Sequence, residues 1–187
     1  MAIWQFNIYF IPRQSLLDRY GHIPTQLEMN KEGWNDWIET GEFEKEPEFE
    51  DAMTIDWWLN LNLDVNKLLP TLQQFGELQE WTRESKGSRR FGDDETNDIS
   101  VCFDHETKKV QTLSCRLDLR EIDKSFINKA LSLATRFDCL FMDTEGELYE
   151  PTLENLADAI QFSNAYRFVE DPKQFLDDLS KGIVKPD

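Results

Sequence analysis

The residues best suited to covalent or metal chemistry are few here, and their spacing assigns them none. The only two histidines are His22, beside the glycine that ends a short helical stretch, and His105, in a turn. Neither stands next to a cysteine or serine in a nucleophile setting, so both read as surface histidines. A triad would have to assemble in space. Cys102, Cys115 and Cys139 form no C-x-x-C pair and sit in apolar segments, the pattern of small buried hydrophobes in a reducing compartment.

Two acidic clusters have partial metal-ligand spacing. In DDETND, Asp93, Glu95 and Asn97 alternate as calcium ligands do, but the sixth-position glycine and twelfth-position glutamate are missing. Asp143, Glu145 and Glu147 around Gly146 read more simply as a hairpin turn. With no zinc pair, phosphate-binding glycine loop or H-E-x-x-H run, the expectation is no catalytic set, no metal and no cofactor. Arg83, Lys86, Arg89 and Arg90 are the one cationic cluster along the chain, read as a loop tied to Asp93 and Asp94. Arg116 and Arg120 alternate with leucines and are assigned to the solvent face of a strand.

The unusual stretch lies between Glu28 and Asp51, where ten carboxylates face two lysines. Four of the six tryptophans fall in or just after it, at Trp34, Trp37, Trp57 and Trp58. Tryptophan is enriched at binding hot spots, and a ring of carboxylates selects a basic partner and speeds encounter. The candidate partner-binding residues are Trp34, Asp36, Trp37, Glu39, Glu42, Phe43, Glu44, Glu46, Glu48 and Phe49. Extended, EFEKEPEFE would put its aromatics on one side and its glutamates on the other, as an added strand or a partner-binding flap does. The competing expectation is that the aromatics plug the core while the glutamates solvate a loop.

The elements that must carry this surface follow from periodicity. WQFNIYF alternates as a half-buried strand, and Arg13 to Tyr20 forms a short helix ended by Gly21. From there to Met53 no period is sustained, which predicts a long acidic aromatic loop at about 28–53. Trp57 to Asp64 alternates as a strand, and Asp64 caps a helix through Leu68, Leu69, Leu72 and Phe75, with Pro70 a source of kinking. A short strand is expected at Leu78 to Arg83 and a loop at 86–98. A hairpin follows, Ile99–Asp104 with Val110–Leu119, whose apolar faces reach the core together when Val101 lies opposite Leu113. That register puts Cys102 and Cys115 on opposite sides of the sheet. Asp123 caps a helix, CLFMD is a buried strand, Leu148 and Tyr149 extend the sheet, Pro151 opens one helix, and Asp171 and Pro172 open the last.

This order predicts an α+β chain with the split β-α-β-β-α-β (ferredoxin-like) antiparallel sheet, helices on one face, an extra N-terminal strand and two C-terminal helices. One domain is expected over 1–187, a length that buries a sizeable core. With 187 residues, a net charge of -17 and a sequence pI near 4.5, the chain is expected to bind neither nucleic acid nor anionic membranes. The N-terminus has no basic n-region, and a cytoplasmic location is expected. The function implied is a cytoplasmic acidic protein-binding module for a basic protein partner, one form of which is an inhibitor or immunity-type protein that covers a cationic nuclease or toxin domain. The alternative is a carboxylate-based enzyme or small-ligand-binding domain.

Overall fold

The computed structural model describes residues 3–41 and 47–184. Six strands form one open antiparallel sheet: β1 (Gln5–Pro12), β2 (Ser88–Gly92), β3 (Asp98–Phe103), β4 (Val110–Asp118), β5 (Cys139–Met142) and β6 (Leu148–Tyr149), in the order β2-β3-β4-β1-β5-β6. The chain is α+β. Its α-helices among the described residues are α1 (Arg13–Tyr20), α2 (Lys31–Thr40), α3 (Val65–Leu72), α4 (Glu80–Arg83), α5 (Lys124–Arg136), α6 (Leu153–Phe162), α7 (Asn164–Glu170) and α8 (Pro172–Ser180). None of the helices is long and apolar enough to cross a membrane.

Register gives the sheet two unlike faces. The rows Phe91–Ile99–Cys115–Ile8 and Phe10–Phe141–Tyr149 run across the first face, with Val101 opposite Leu113 as the patterning requires. These apolar residues form the core with the buried stripes of α3 (Val65, Leu68, Leu72) and α5 (Phe126, Ala130, Leu133, Ala134). The row Arg90–Ser100–Ser114–Tyr9–Met142–Leu148 crosses the second face. It is polar over β2 to β4 and apolar over β1 to β6. Cys102 belongs to the polar half and is exposed, whereas Cys115 and Cys139 are buried, so the expectation of three buried thiols fails at Cys102.

Four expectations about elements are corrected. Trp57 to Asp64 is not a strand: Leu59–Leu61 is a 3-10 turn, and Asn62 adopts φ 49°. The adjacent Trp57 and Trp58 are 4% and 0% exposed, which a one-faced strand could not achieve. Each indole instead donates to a backbone carbonyl, Trp57 Nε1 to Ala52 O (2.8 Å) and Trp58 Nε1 to Phe10 O (2.7 Å). Leu78 makes only an isolated bridge to Phe91, and the residues after it form α4 rather than a strand. The presumed loop 86–98 contains β2, which pairs fully with β3. Pro151 lies outside α6, which Thr152 caps, and an unexpected α7 follows, capped by Ser163.

The largest correction concerns residues 28–53. They are not all loop, because α2 occupies Lys31–Thr40. The Asn30 side chain accepts from Gly33 N (2.9 Å), and Gly41 ends the helix at φ 65°. Before α2, the chain runs outside β6, with Leu27 N donating to Gly146 O (2.8 Å) and Leu148 N to Thr25 O (2.9 Å). This segment covers an edge that would otherwise present unpaired backbone groups.

Candidate binding surface: the acidic aromatic arm

Asp51 fastens the arm to the body. It is 3% exposed, and one carboxylate oxygen accepts from Asn30 N (3.0 Å) and Trp34 Nε1 (2.7 Å). The other accepts from Met53 N (2.8 Å) and Thr54 N (3.2 Å). Four donors offset the cost of burying the charge and join the start of α2 to the chain returning from it. Asp51 also lies close enough to Tyr9 to act on it. Burial pushes the Tyr9 phenol up to about 12, Arg116 opposes that shift, and the Asp51 charge adds to it.

Above this anchor is a small aromatic cluster. Trp34 meets Trp37 edge-on with centroids 5.6 Å apart, and Phe49 edge-on at 5.2 Å. Phe49 also packs on the α2 backbone, where a Cβ added at Gly33 would come within 2.8 Å of its ring. Yet α2 buries none of its side chains: Trp34 and Trp37 are half-buried and Ile38 is 55% exposed. Trp34 is held by Asp51 and Trp37 packs edge-on against it, both half-buried, while Ile38 beside them is exposed.

The structure brings Trp34, Trp37 and Phe49 together, and Asp36, Glu39 and Glu48 are exposed on the same segment, Asp36 and Glu39 across α2 from the tryptophans. Those three acids make no ion pair among the described residues. Glu50, by contrast, pairs with Arg19, and Lys31 pairs with Glu145 at the turn before β6. Glu42, Phe43, Glu44 and Glu46 lie outside the described residues.

Among the described residues, two acids are pushed above the ordinary range by burial, Asp98 and Asp143. Asp98 accepts from Arg116 Nε (2.7 Å), which pulls its carboxyl down without overcoming burial. Asp143, raised to about 6, accepts from the backbone of Glu145 (2.9 Å) and Glu147 (3.0 Å), which makes this cluster a turn. Asp98 shares the Arg116–Asn7 row of the second face, whereas Asp143 borders Phe6 on the first.

The expected basic loop is also absorbed into the structure. Arg90 pairs with Asp94 (3.2 Å) and stacks 5.1 Å over Trp81. Arg89 donates to the carbonyls of Thr82 (3.0 Å) and Ser85 (2.6 Å). Arg116 is partly buried and bound to Asp98, so it does not simply line a solvent face as its alternation suggests. Sequence reasoning missed a second cationic surface, on α5, where Lys124, Lys129 and Arg136 line one groove. Their separations of five and seven residues give no visible cluster. Compared with family models, curated proteins and solved structures, the chain matches none.

Proposed function

We propose that this chain is an acidic protein-binding module that recognises a basic protein partner through α2 and the arm from Gly41 to Asp51. One observation carries the reading: α2 carries an aromatic cluster together with exposed acids yet buries no side chain of its own in the core. A helix serving the core alone would hide an apolar stripe, as α3 and α5 do. Trp37 and Ile38 supply apolar contact, and Asp36, Glu39 and Glu48 supply steering toward positive charge. An inhibitor or immunity-type protein that covers a cationic nuclease or toxin domain in the cytoplasm is the form that best suits a net charge of -17.

The same reading extends to the fold. Within the sheet, β1, β3, β4 and β5 stand in the order β3-β4-β1-β5, with helices between β1 and β3 and between β4 and β5. We propose that this is the split β-α-β-β-α-β arrangement opened by β1, with β2 and β6 added at its edges.

The test is affinity capture from native lysate at low and high salt, followed by backbone hydrogen exchange on the complex. A basic protein should be retained at low salt and should slow exchange across residues 31–51. Protection confined to other surfaces would overturn the assignment of the site.

A further inference from the structure

On the helical side of the sheet, a groove of about 660 Å³ runs between α5 and the end of α3 with the 3-10 turn Gln73–Phe75. Lys124, Lys129 and Arg136 line it, and no carboxylate does. None of the three makes an ion pair among the described residues, in a chain where 37 acids outnumber 20 bases. Two are nevertheless held in place across the groove: Lys129 Nζ donates to Gln74 O (2.7 Å) and Arg136 donates to Thr71 Oγ1 (3.1 Å). These neutral partners orient the cations and leave their charge uncompensated.

Spacing and donors define the ligand. At 1.5 Å per residue, the three cations stand roughly 7 and 10 Å apart along the α5 axis, so one compact anion cannot engage them all. Ser125, Asn128, Ser132, Thr71 and Gln74 add short neutral hydrogen-bonding groups along the same walls, over a floor of Phe75 and Leu133. Five such groups beside three cations suit linked phosphates, with three free oxygens on each terminal group and two on any between, better than the two oxygens of a carboxylate. The terminus of α5 is not part of the site, because Asp123 already accepts from Ser125 N (2.8 Å) and Phe126 N (3.0 Å). Its charge also disfavours an anion at that end.

We propose that this groove binds a small ligand carrying two or more linked phosphate groups, seated chiefly between Lys129 and Arg136. The site is independent of the acidic arm, none of whose described residues lines the groove.

The full chain is titrated with sodium tripolyphosphate, and in parallel with adenosine triphosphate, under amide NMR. Saturable shifts should fall on residues 125–136 and 71–75. Tighter binding of the nucleotide would assign part of the groove to its base, and equal binding would assign the whole site to phosphate. The variant with Lys129→Gln and Arg136→Gln should weaken binding at least tenfold. Because those side chains also cross the groove, Lys124→Gln, at an exposed residue, serves as the second variant. It should weaken binding severalfold with an unchanged melting temperature. Shifts scattered over Lys86, Lys108 and Lys109, affinities insensitive to these variants, or tighter binding of an oligoglutamate peptide would each overturn the proposal.

Discussion

Asp51 shows how one buried side chain can organise an exposed surface. Its four donors come from the backbone on either side of the arm and from the Trp34 indole; removing the carboxylate strands three of them, since Thr54 N also reaches the backbone carbonyl of Asp51. Asp51→Ala should cost about 2 kcal/mol or more, since a buried donor left without an acceptor loses its full solvation. A urea melt that moves by less than about 0.5 kcal/mol would contradict the anchoring role. Asp143 makes a prediction of the opposite electrostatic kind. Its folded-state value of about 6 exceeds the ordinary 3.8, so between those values the folded protein holds more proton than the unfolded chain. Its contribution to stability is complete below about pH 4 and is lost as the pH rises through 6. Asp143→Asn retains an oxygen for the turn amides and removes the titration. The variant should therefore gain on the natural protein between pH 4 and pH 7, by about 1 kcal/mol once solvent screening is allowed for. Melts at pH 4, 5, 6 and 7 that run parallel for the two proteins would refute this.

Among the elements, the sequence was most legible where one period and one cap acted together. Asp123 caps α5 as expected, and the β3–β4 hairpin takes the register that pairs Val101 with Leu113, because any slip by one residue would expose its whole apolar face. Legibility failed where tertiary contacts overrode local pattern. Trp57 to Leu63 alternates like a strand, but both indoles are drawn inward by carbonyls distant in the chain or across a turn. In α2 the signals were available, the cap and stop at Asn30 and Gly41 with Trp34, Trp37 and Ile38 at helical spacing between them, but one turn of apolar residues amid acids sustains no period. The strand β2 was obscured by its arginines, which lie over Phe103 and Trp81 rather than in water. The end of β2 carries its own prediction. Gly92 adopts φ 107°, and a Cβ there would stand 2.3 Å from Asn97 O. Gly92→Ala combines backbone strain with a clash against main chain and should cost about 3 kcal/mol. Chemical denaturation checks it, and a loss under 1 kcal/mol would mean that the turn after β2 yields.

At the scale of the whole molecule, charge is the dominant feature. A net charge of -17 makes the folded state repel itself, and the exposed acids of α2 and the arm contribute much of that excess. Added sodium chloride should therefore raise the melting temperature at neutral pH through screening. A steady fall would show that attractive pairs such as Arg13–Glu150 and Arg116–Asp98 outweigh the repulsion. The candidate site was legible in sequence as composition but not as geometry. Ten acids among tryptophans could be counted, whereas the anchoring of Trp34 depends on Asp51, 17 residues away along the chain. We propose that the cluster held by this anchor is the docking surface of a basic partner.

The most direct test of that claim is the pair of rate constants for the captured partner, measured against folded variants. Trp37→Ala should leave association nearly unchanged and speed dissociation by about 30-fold, the equivalent of roughly 2 kcal/mol at a hot spot. Glutamine at Glu39, Glu42, Glu44, Glu46 and Glu48 together should instead slow association and flatten its dependence on salt. A partner that binds both folded variants with the rate constants of the natural protein would contradict a docking role for the arm.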